Sequence, residues 1–304
     1  MESVQLHPTF CPLCKTLENA AEVYPANFDP QAFNPAVFSA RRLPDRLHYR
    51  MVRCLSCGLL RADPIADPGV LARPYAGSSF DYEDELVNLR RTYGRYLSML
   101  AGERGALLEI GCGNGFLLEE ALAQGYSEVW GVEPSQAAVA QAKPQLRPGI
   151  RNEFMRPGLF PPERFDAICM FQVFDHIADP GALLAECFSI LKPGGRLLLL
   201  NHNERAYSAR LLGARSPIVD IEHTCLYSRA TLKRLAEHVG FQVERSGTVF
   251  NEYSLFYIAR LLPVPAGVKG GLLGLLQATP LGRLRLRVPL GNLYLIARKE
   301  EING

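Results

Sequence analysis

The sequence predicts an α/β protein: a doubly wound, seven-stranded parallel sheet preceded by a metal-ribbon-like N-terminal segment. Three observations carry this. From residue 105 onward, short apolar runs alternate with stretches of helical periodicity, the pattern of βα units that build a parallel sheet with helices on both faces. A glycine cluster, Gly111, Gly113 and Gly115, closes the first of these runs in "LEIGCGNG". Two C-x-x-C pairs, Cys11/Cys14 and Cys54/Cys57, bracket an irregular first sixty residues. The resulting organisation is a ribbon-like segment over 1–62, a connector and helix over 63–104, and the sheet domain over 105–304, with a basic, apolar insertion at about 254–291.

The elements follow in order. Each cysteine pair reads as a tight turn, with Pro12 inside one and Gly58 closing the other. Two such knuckles place four thiolates as a tetrahedral Zn²⁺ requires. The 39 residues between Cys14 and Cys54 exceed the spacer of a compact ribbon, so the metal is expected to tie down a long loop. Residues 61–80 are a Pro/Gly-rich connector, and 81–102 carry Leu86, Leu89, Tyr93, Tyr96, Leu97 and Leu100 at helical spacing. "GALLEIG" is the first strand, and "NGFLLEEALAQG" a helix stopped by Gly125. "SEVWGVEP" is the second strand, followed by a helix with Ser135 as N-cap. "GIRNEF" is a weak third strand. "FDAICMFQVF" is apolar throughout, as a strand buried on both faces should be. A helix ended by Pro193-Gly194-Gly195, the strand "RLLLLNHN", a helix capped by Ser228, and the strands "QVERSGTVF" and "GNLYLIARKE" complete the sheet.

Composition sets bounds on function. The chain has 304 residues, 48% hydrophobic and 21% charged, with a formal net charge of +2. That balance is too mild to require a nucleic-acid partner, although a local basic patch stays possible in principle. The first residues carry neither a basic leader nor an apolar core, and no run approaches the roughly 18 apolar residues of a membrane span. A cytoplasmic setting is expected, in which eight cysteines stay reduced. Between Ser254 and Gly291 the chain holds Arg260, Lys269, Arg283, Arg285 and Arg287 and no acid. This reads first as a helical insertion packed on the domain, and second as a contact with a membrane or an anionic substrate.

The glycine cluster holds the first clue to chemistry. Its spacing is G-x-G-x-G, with Phe116 where the dinucleotide fingerprint wants its third glycine. Glu109, two residues before Gly111, would be a poor neighbour for a pyrophosphate. It suits a ligand carrying an ammonium group, because opposite charges attract at short range. S-adenosylmethionine carries such a group and no phosphate. Glu133 ends the second strand, 18 residues after Gly115, where an acid can accept from both ribose hydroxyls. The plainer reading of Glu133 is a solvated loop carboxylate. Glu153, Phe154 and Met155 end the third strand as equal candidates for an adenine contact.

On these residues the chain resembles the class I S-adenosylmethionine-dependent methyltransferases, whose sheet is Rossmann-like. The matching stretches are "LLEIGCGNG", "VWGVEPS", "FDAICMFQVFDHIADP" and "LKPGGRLLLL". The paired cysteine turns and the "NHN…EHTCLYS" block resemble a bacterial subgroup with an N-terminal zinc-binding segment, often associated with sugars, surface glycans or secondary metabolites. The resemblance implies Glu109, Gly111, Gly113, Glu133 and Gln172 as cofactor contacts. Phe-Asp-His at 174–176 departs from the commoner Leu-Glu-His or Phe-Glu-His. The long C-terminal domain of the related sugar C-methyltransferases is missing, which leaves that chemistry unsupported.

A methyl acceptor that is a hydroxyl or a carbon acid needs a base. His176, His202 and His223 lie beyond the ends of the fourth and fifth strands, on the expected active-site rim. His223 is the first choice for substrate contact or base, and His176 the second, with a loop-shaping role as its plainer reading. The expected activity is methyl transfer to oxygen on a small molecule, sugar or glycan. Two competitors are an RNA methyltransferase with a zinc module and a non-catalytic scaffold of the same fold. The first is disfavoured because basic and aromatic residues do not interleave in the cysteine segment.

Overall fold

The computed structural model describes residues 5–28, 47–67, 86–261 and 264–300. The N-terminal part holds five short strands: β1 (Leu6–His7), β2 (Ala20–Tyr24), β3 (Met51–Cys54), β4 (Leu60–Ala62) and β5 (Ile65–Ala66). β1 pairs with β5, and β2, β3 and β4 form an antiparallel meander. The cysteine turns sit at the ends of these strands. Lys15 and Gly58, each directly after the second cysteine of its pair, both adopt left-handed backbone, with φ of 55° and 79°. The two knuckles therefore share one turn geometry, although only one of them uses glycine for it.

Helix α1 (Leu86–Leu97) follows; the first five residues of the predicted helical stretch, 81–85, lie outside the described residues. Its buried face is Leu89, Tyr93, Tyr96 and Leu97, and Tyr93 stacks on Phe116 and Phe171. Next come β6 (Ala106–Ile110), α2 (Phe116–Ala123), β7 (Glu128–Val132), α3 (Gln136–Gln141), β8 (Ile150–Arg151), β9 (Phe165–Phe171), α4 (Pro180–Ile190) and β10 (Leu191–His202). After these the chain forms α5 (Tyr207–Leu212), β11 (Cys225–Leu226), α6 (Arg229–Val239), β12 (Gln242–Thr248), β13 (Asn251–Ser254), α7 (Leu255–Leu261), α8 (Ala266–Ala278), β14 (Arg285–Val288) and β15 (Asn292–Arg298).

The central sheet has seven strands in the order β12-β15-β10-β9-β6-β7-β8. The chain runs outward from β6 to β8, then returns to β9, so β6 and β9 flank a topological switch point. In such sheets ligands bind beyond the carboxyl ends of the strands there. The sheet is not wholly parallel, as the alternating pattern implied: β15 runs antiparallel to both β10 and β12. A seventh strand entered from the β13–β14 excursion needs no helical crossover, so nothing forces it parallel. The fourth helix also ends earlier than Pro193 indicates. It stops at Ile190, Leu191 already pairs with Phe165, and the proline–glycine turn forms a register shift inside the long strand β10.

Alternation along the strands divides the core. Leu107, Cys169, Leu198 and Leu200 face α1 and α2. Leu108, Ile168, Leu197 and Leu199 face the other way, in one cluster with Leu184, Leu232 and the thiols Cys11, Cys54 and Cys57. The N-terminal meander is thus built onto this face. β11, from beyond the fifth sheet strand, pairs with β4 and completes the meander as a four-stranded sheet. Arg53 donates from both terminal nitrogens to the buried carboxylate of Glu204, at 3.0 and 2.8 Å, a bidentate link between the two parts.

The insertion stands on a two-stranded ribbon, β13 with β14, which sequence patterning did not indicate. Phe250 N–H donates to the Tyr96 hydroxyl and Glu252 N–H to the Thr92 hydroxyl, fixing the ribbon to α1.

Candidate active site

The turn between β6 and α2 takes its hydrogen bonds from the end of β7: Gly111 N–H donates to the Val132 carbonyl and Gly113 N–H to Glu133. Gly111, Gly113 and Gly115 have φ of 76°, 53° and 75°, values that L-residues with a Cβ rarely take. At Gly111 a Cβ would also run into Val173 just beyond β9, so the close approach at the switch point itself demands glycine. Glu133, at the end of β7, is 5% exposed. Its two oxygens accept from Gly113 N–H and Ser135 N–H, each at 2.8 Å, and its carbonyl accepts from the Asn152 amide. The glycine turn and the strand-two acid are therefore one bonded unit, and Ser135 caps α3 as expected.

Glu109 is buried in β6, and its Oε2 has no hydrogen-bond partner. Burial, and then the charge of Glu133, hold its carboxyl well above the ordinary range. A lone buried carboxylate is costly unless a cation or donor meets it. Among the described residues none does. An amine-bearing ligand in the glycine turn would meet that need. Gln172 directly follows β9 in left-handed backbone, φ 54°, with its N–H on the Leu200 carbonyl at 2.7 Å. Asp166, by contrast, sits at the start of β9, where it accepts from Ala106 N–H and Lys192; its role is structural.

The three rim histidines come together. The His223 ring lies 4.8 Å from that of His176 and 4.7 Å from that of His202, centroid to centroid. Each is positioned differently. His202 continues β10, and both its backbone N–H and its Nδ1 lie 3.0 Å from Asp175 Oδ2. An ionised carboxylate can only accept, so Nδ1 carries the hydrogen, and in the neutral ring Nε2 is the acceptor nitrogen. His223 places Nδ1 2.8 Å from the Ile218 carbonyl, which fixes the same tautomer. Burial, followed by the neighbouring His202, brings its pKa down to about 4. Burial and the other two rings also hold His176 well below the ordinary histidine range.

Asp175 is the residue that sequence reasoning passed over. It is fully buried, with Oδ1 unpartnered, and its backbone carbonyl accepts from Thr224 N–H. The departure Phe-Asp-His was the available signal. Asn201, in β10 one residue before His202, was missed as well. It is fully buried with both amide atoms unpartnered, and a strand pattern alone gives no reason for an amide there.

The sulfur atoms of Cys11, Cys14, Cys54 and Cys57 lie within 4.8 Å of one another. Cys11 and Cys57 are 3.4 Å apart, and Cys14 and Cys54 3.8 Å. Four sulfurs at about 2.3 Å from a tetrahedral centre stand about 3.8 Å from each other. The donor set therefore fits a metal ion that prefers soft ligands, placed against the core face that carries β11.

Comparison with known proteins decides the family. Residues 87–246 match the family model described as a methyltransferase domain. The chain belongs to this methyltransferase family. A ubiquinone biosynthesis O-methyltransferase of Pseudomonas fluorescens is 33% identical over 123 residues, 38% of this chain and 52% of that protein. One from Bradyrhizobium is 36% identical over 124 residues, 39% and 48% of the two chains. The chain thus spans about half the length of the curated relatives it matches. Among solved structures, a SAM-dependent methyltransferase of Archaeoglobus fulgidus has a TM-score of 0.50 at 21% identity, covering 72% of this chain and 96% of that one. The shared fold is that of the class I methyltransferases, with the glycine turn, Glu133 and the histidine cluster at the carboxyl end of its sheet.

Proposed function

We propose that the protein is an S-adenosylmethionine-dependent O-methyltransferase acting on a small hydroxyl-bearing molecule, a sugar or a glycan. The observation that carries this reading is the unpartnered, buried Glu109 oxygen beside a glycine turn bonded to Glu133. Gly111, Gly113 and Gly115 let a ligand approach the backbone, Glu109 answers an ammonium, Glu133 answers ribose hydroxyls, and Gln172 lines the methionine side. When bound, the cofactor supplies a methyl group on a sulfonium, an electrophile with a good leaving group. What remains for the protein is alignment and the acceptor's proton.

His202 is the best arranged proton acceptor of the three histidines. Nε2 takes the proton as the acceptor oxygen is alkylated, and Asp175 stabilises the imidazolium through Nδ1–H. His223 and His176 are held neutral by burial and line the same mouth as acceptor contacts. The names of the curated relatives favour oxygen as the methylated atom. Zn²⁺ on the four thiolates is the proposed structural metal, and a cytoplasmic setting suits reduced thiols. The 254–291 segment is the candidate contact for a membrane surface or anionic partner.

Calorimetric titration with S-adenosylhomocysteine, beside Glu133→Ala and an NAD control, tests the cofactor. Micromolar binding that weakens about 10- to 100-fold in the variant, with none for NAD, supports the reading. Absence of binding by folded protein moves the scaffold alternative forward.

A further inference from the structure

Between Tyr253 and Lys299 the sequence contains no acidic residue, and none between Arg205 and Val219. The structure joins these two stretches at Gly291. Asn203 N–H donates to the Gly291 carbonyl at 2.8 Å, and a Cβ on Gly291 would meet Ser208 and Ala206 at the start of α5.

Both stretches expose apolar side chains. Tyr207 and Leu211, one turn apart on α5, are 89% and 86% exposed, the highest values among the large exposed hydrophobic residues described. On α8, Val268 and Leu275 are 62% and 59% exposed. With Leu272 they occupy positions i, i+4 and i+7, so they form one stripe. A helix on the surface of a soluble protein ordinarily turns a charged face to water. α8 holds one charge, Lys269, and four glycines in thirteen residues. Leu281, Leu284 and Leu286 continue the exposed apolar surface onto β14, alternating there with exposed Arg283, Arg285 and Arg287.

Isolated exposed leucines need no explanation, but clusters of them do. Among the described residues, six of the fifteen large exposed hydrophobic side chains fall between 264 and 290. Arg287 is paired with Glu252 of β13 at 3.0 Å, but apolar side chains interleaved with Arg283 and Arg285 match the boundary of an anionic bilayer. There acyl chains receive the leucines and phosphates the guanidinium groups. We infer that α5 together with α8, the 280–284 turn and β14 forms a docking surface for a lipid bilayer rich in anionic headgroups. The surface borders the rim that carries His202, so docking brings the acceptor mouth close to the membrane plane.

Vesicle flotation tests this with unilamellar vesicles of phosphatidylcholine alone and of phosphatidylcholine with phosphatidylglycerol. The full chain is expected to float with the anionic vesicles, and at least tenfold less with the neutral ones or at 1 M salt. Leu211→Asp with Leu275→Asp, and separately Arg283→Glu with Arg285→Glu, should each lower flotation at least tenfold. All four positions are exposed, so the fold should persist. Unchanged S-adenosylhomocysteine affinity in the variants checks this, and it keeps failure of docking distinct from failure of the methyltransferase reading. Flotation that is absent, or that the variants leave intact, overturns the inference. So does loss of a sedimenting dimer in the variants without loss of flotation, which would assign the surface to a second copy of the chain.

Discussion

The glycine turn and the histidine mouth lie at the same end of one sheet, yet they are assembled in different ways. The turn is a local object. Gly111 to Ser135 spans one helix and one strand, and the bonds of the Glu133 carboxylate close within that span. The mouth is put together from three separated stretches: Asp175 and His176, Asn201 and His202, and the 218–224 loop bearing His223. It also rests on a foundation from elsewhere in the chain. The Thr224 carbonyl beside His223 accepts from Ala62 N–H of β4 at 2.8 Å, and β11 pairs with β4. A cofactor cradle can be self-sufficient, while the part of the site that meets the acceptor depends on the four-cysteine segment beneath it.

Metal removal should separate the two most strongly. Stripping the thiol cluster with a chelator, or Cys54→Ser, is expected to destabilise the protein by several kcal/mol, on the order of 5, because structural metal binding is largely folding energy. In thermal melts the transition should fall, and the first protection lost in hydrogen exchange should be in β3, β4 and β11. Equal loss across β6 and β7 would show that the cradle is no more independent than the mouth. Melts unmoved by the chelator would leave the cluster as four buried thiols.

The next test uses pH. The unfolded chain protonates His223 near 6.5, but the native ring does so only near 4. In that window the unfolded state binds the extra proton, so stability falls as pH drops from about 6.5 to about 4 and levels off below it. The shift corresponds to about 3 kcal/mol by linkage. His176, held low for the same reason, adds in the same direction. Denaturant unfolding at pH 7 and pH 4.5 should show a smaller loss for His223→Asn than for the parent. An equal loss in both would remove His223 from the buried, neutral role given to it here.

A single added methyl sharpens the cradle side. Gly111→Ala forces a Cβ onto a left-handed backbone and against Val173, at a cost of about 2 kcal/mol. Binding of S-adenosylhomocysteine should become undetectable by calorimetry, while the histidine rings keep their chemical shifts. Retained micromolar affinity would mean that the turn has slack that the close packing denies.

The contrast also explains what could be read in advance. Seven strands, the Ser135 and Ser228 caps and the glycine turn were legible because each depends on residues near one another in sequence. The four cysteines were legible across a long gap because two identical turns announce them. Asn201 in its apolar strand and Asp175 in the turn after β9 were not, since a single buried polar residue gives no periodic signal and its partners come from elsewhere. The antiparallel β15 and the β13–β14 ribbon were missed for a related reason: strand direction is set by the connection, and this connection is an irregular excursion.

The subtlest effect concerns Glu109. Its carboxyl is raised by burial and by Glu133, so part of the cofactor-free protein carries a proton there at pH values where an ordinary carboxyl is fully ionised. An ammonium brought against it would favour the charged form and expel that proton. Affinity for S-adenosylhomocysteine should therefore rise with pH below the raised pKa, by at most about tenfold per unit, and level off above it. Binding enthalpies in buffers of different ionisation heat should report up to one proton released. Glu109→Gln should bind more weakly and lose the slope. A slope that survives the substitution would assign the proton to another group. The ammonium contact would then fall to a different part of the turn, and only the glycine spacing with Phe116 would set the cradle's ligand apart from a dinucleotide.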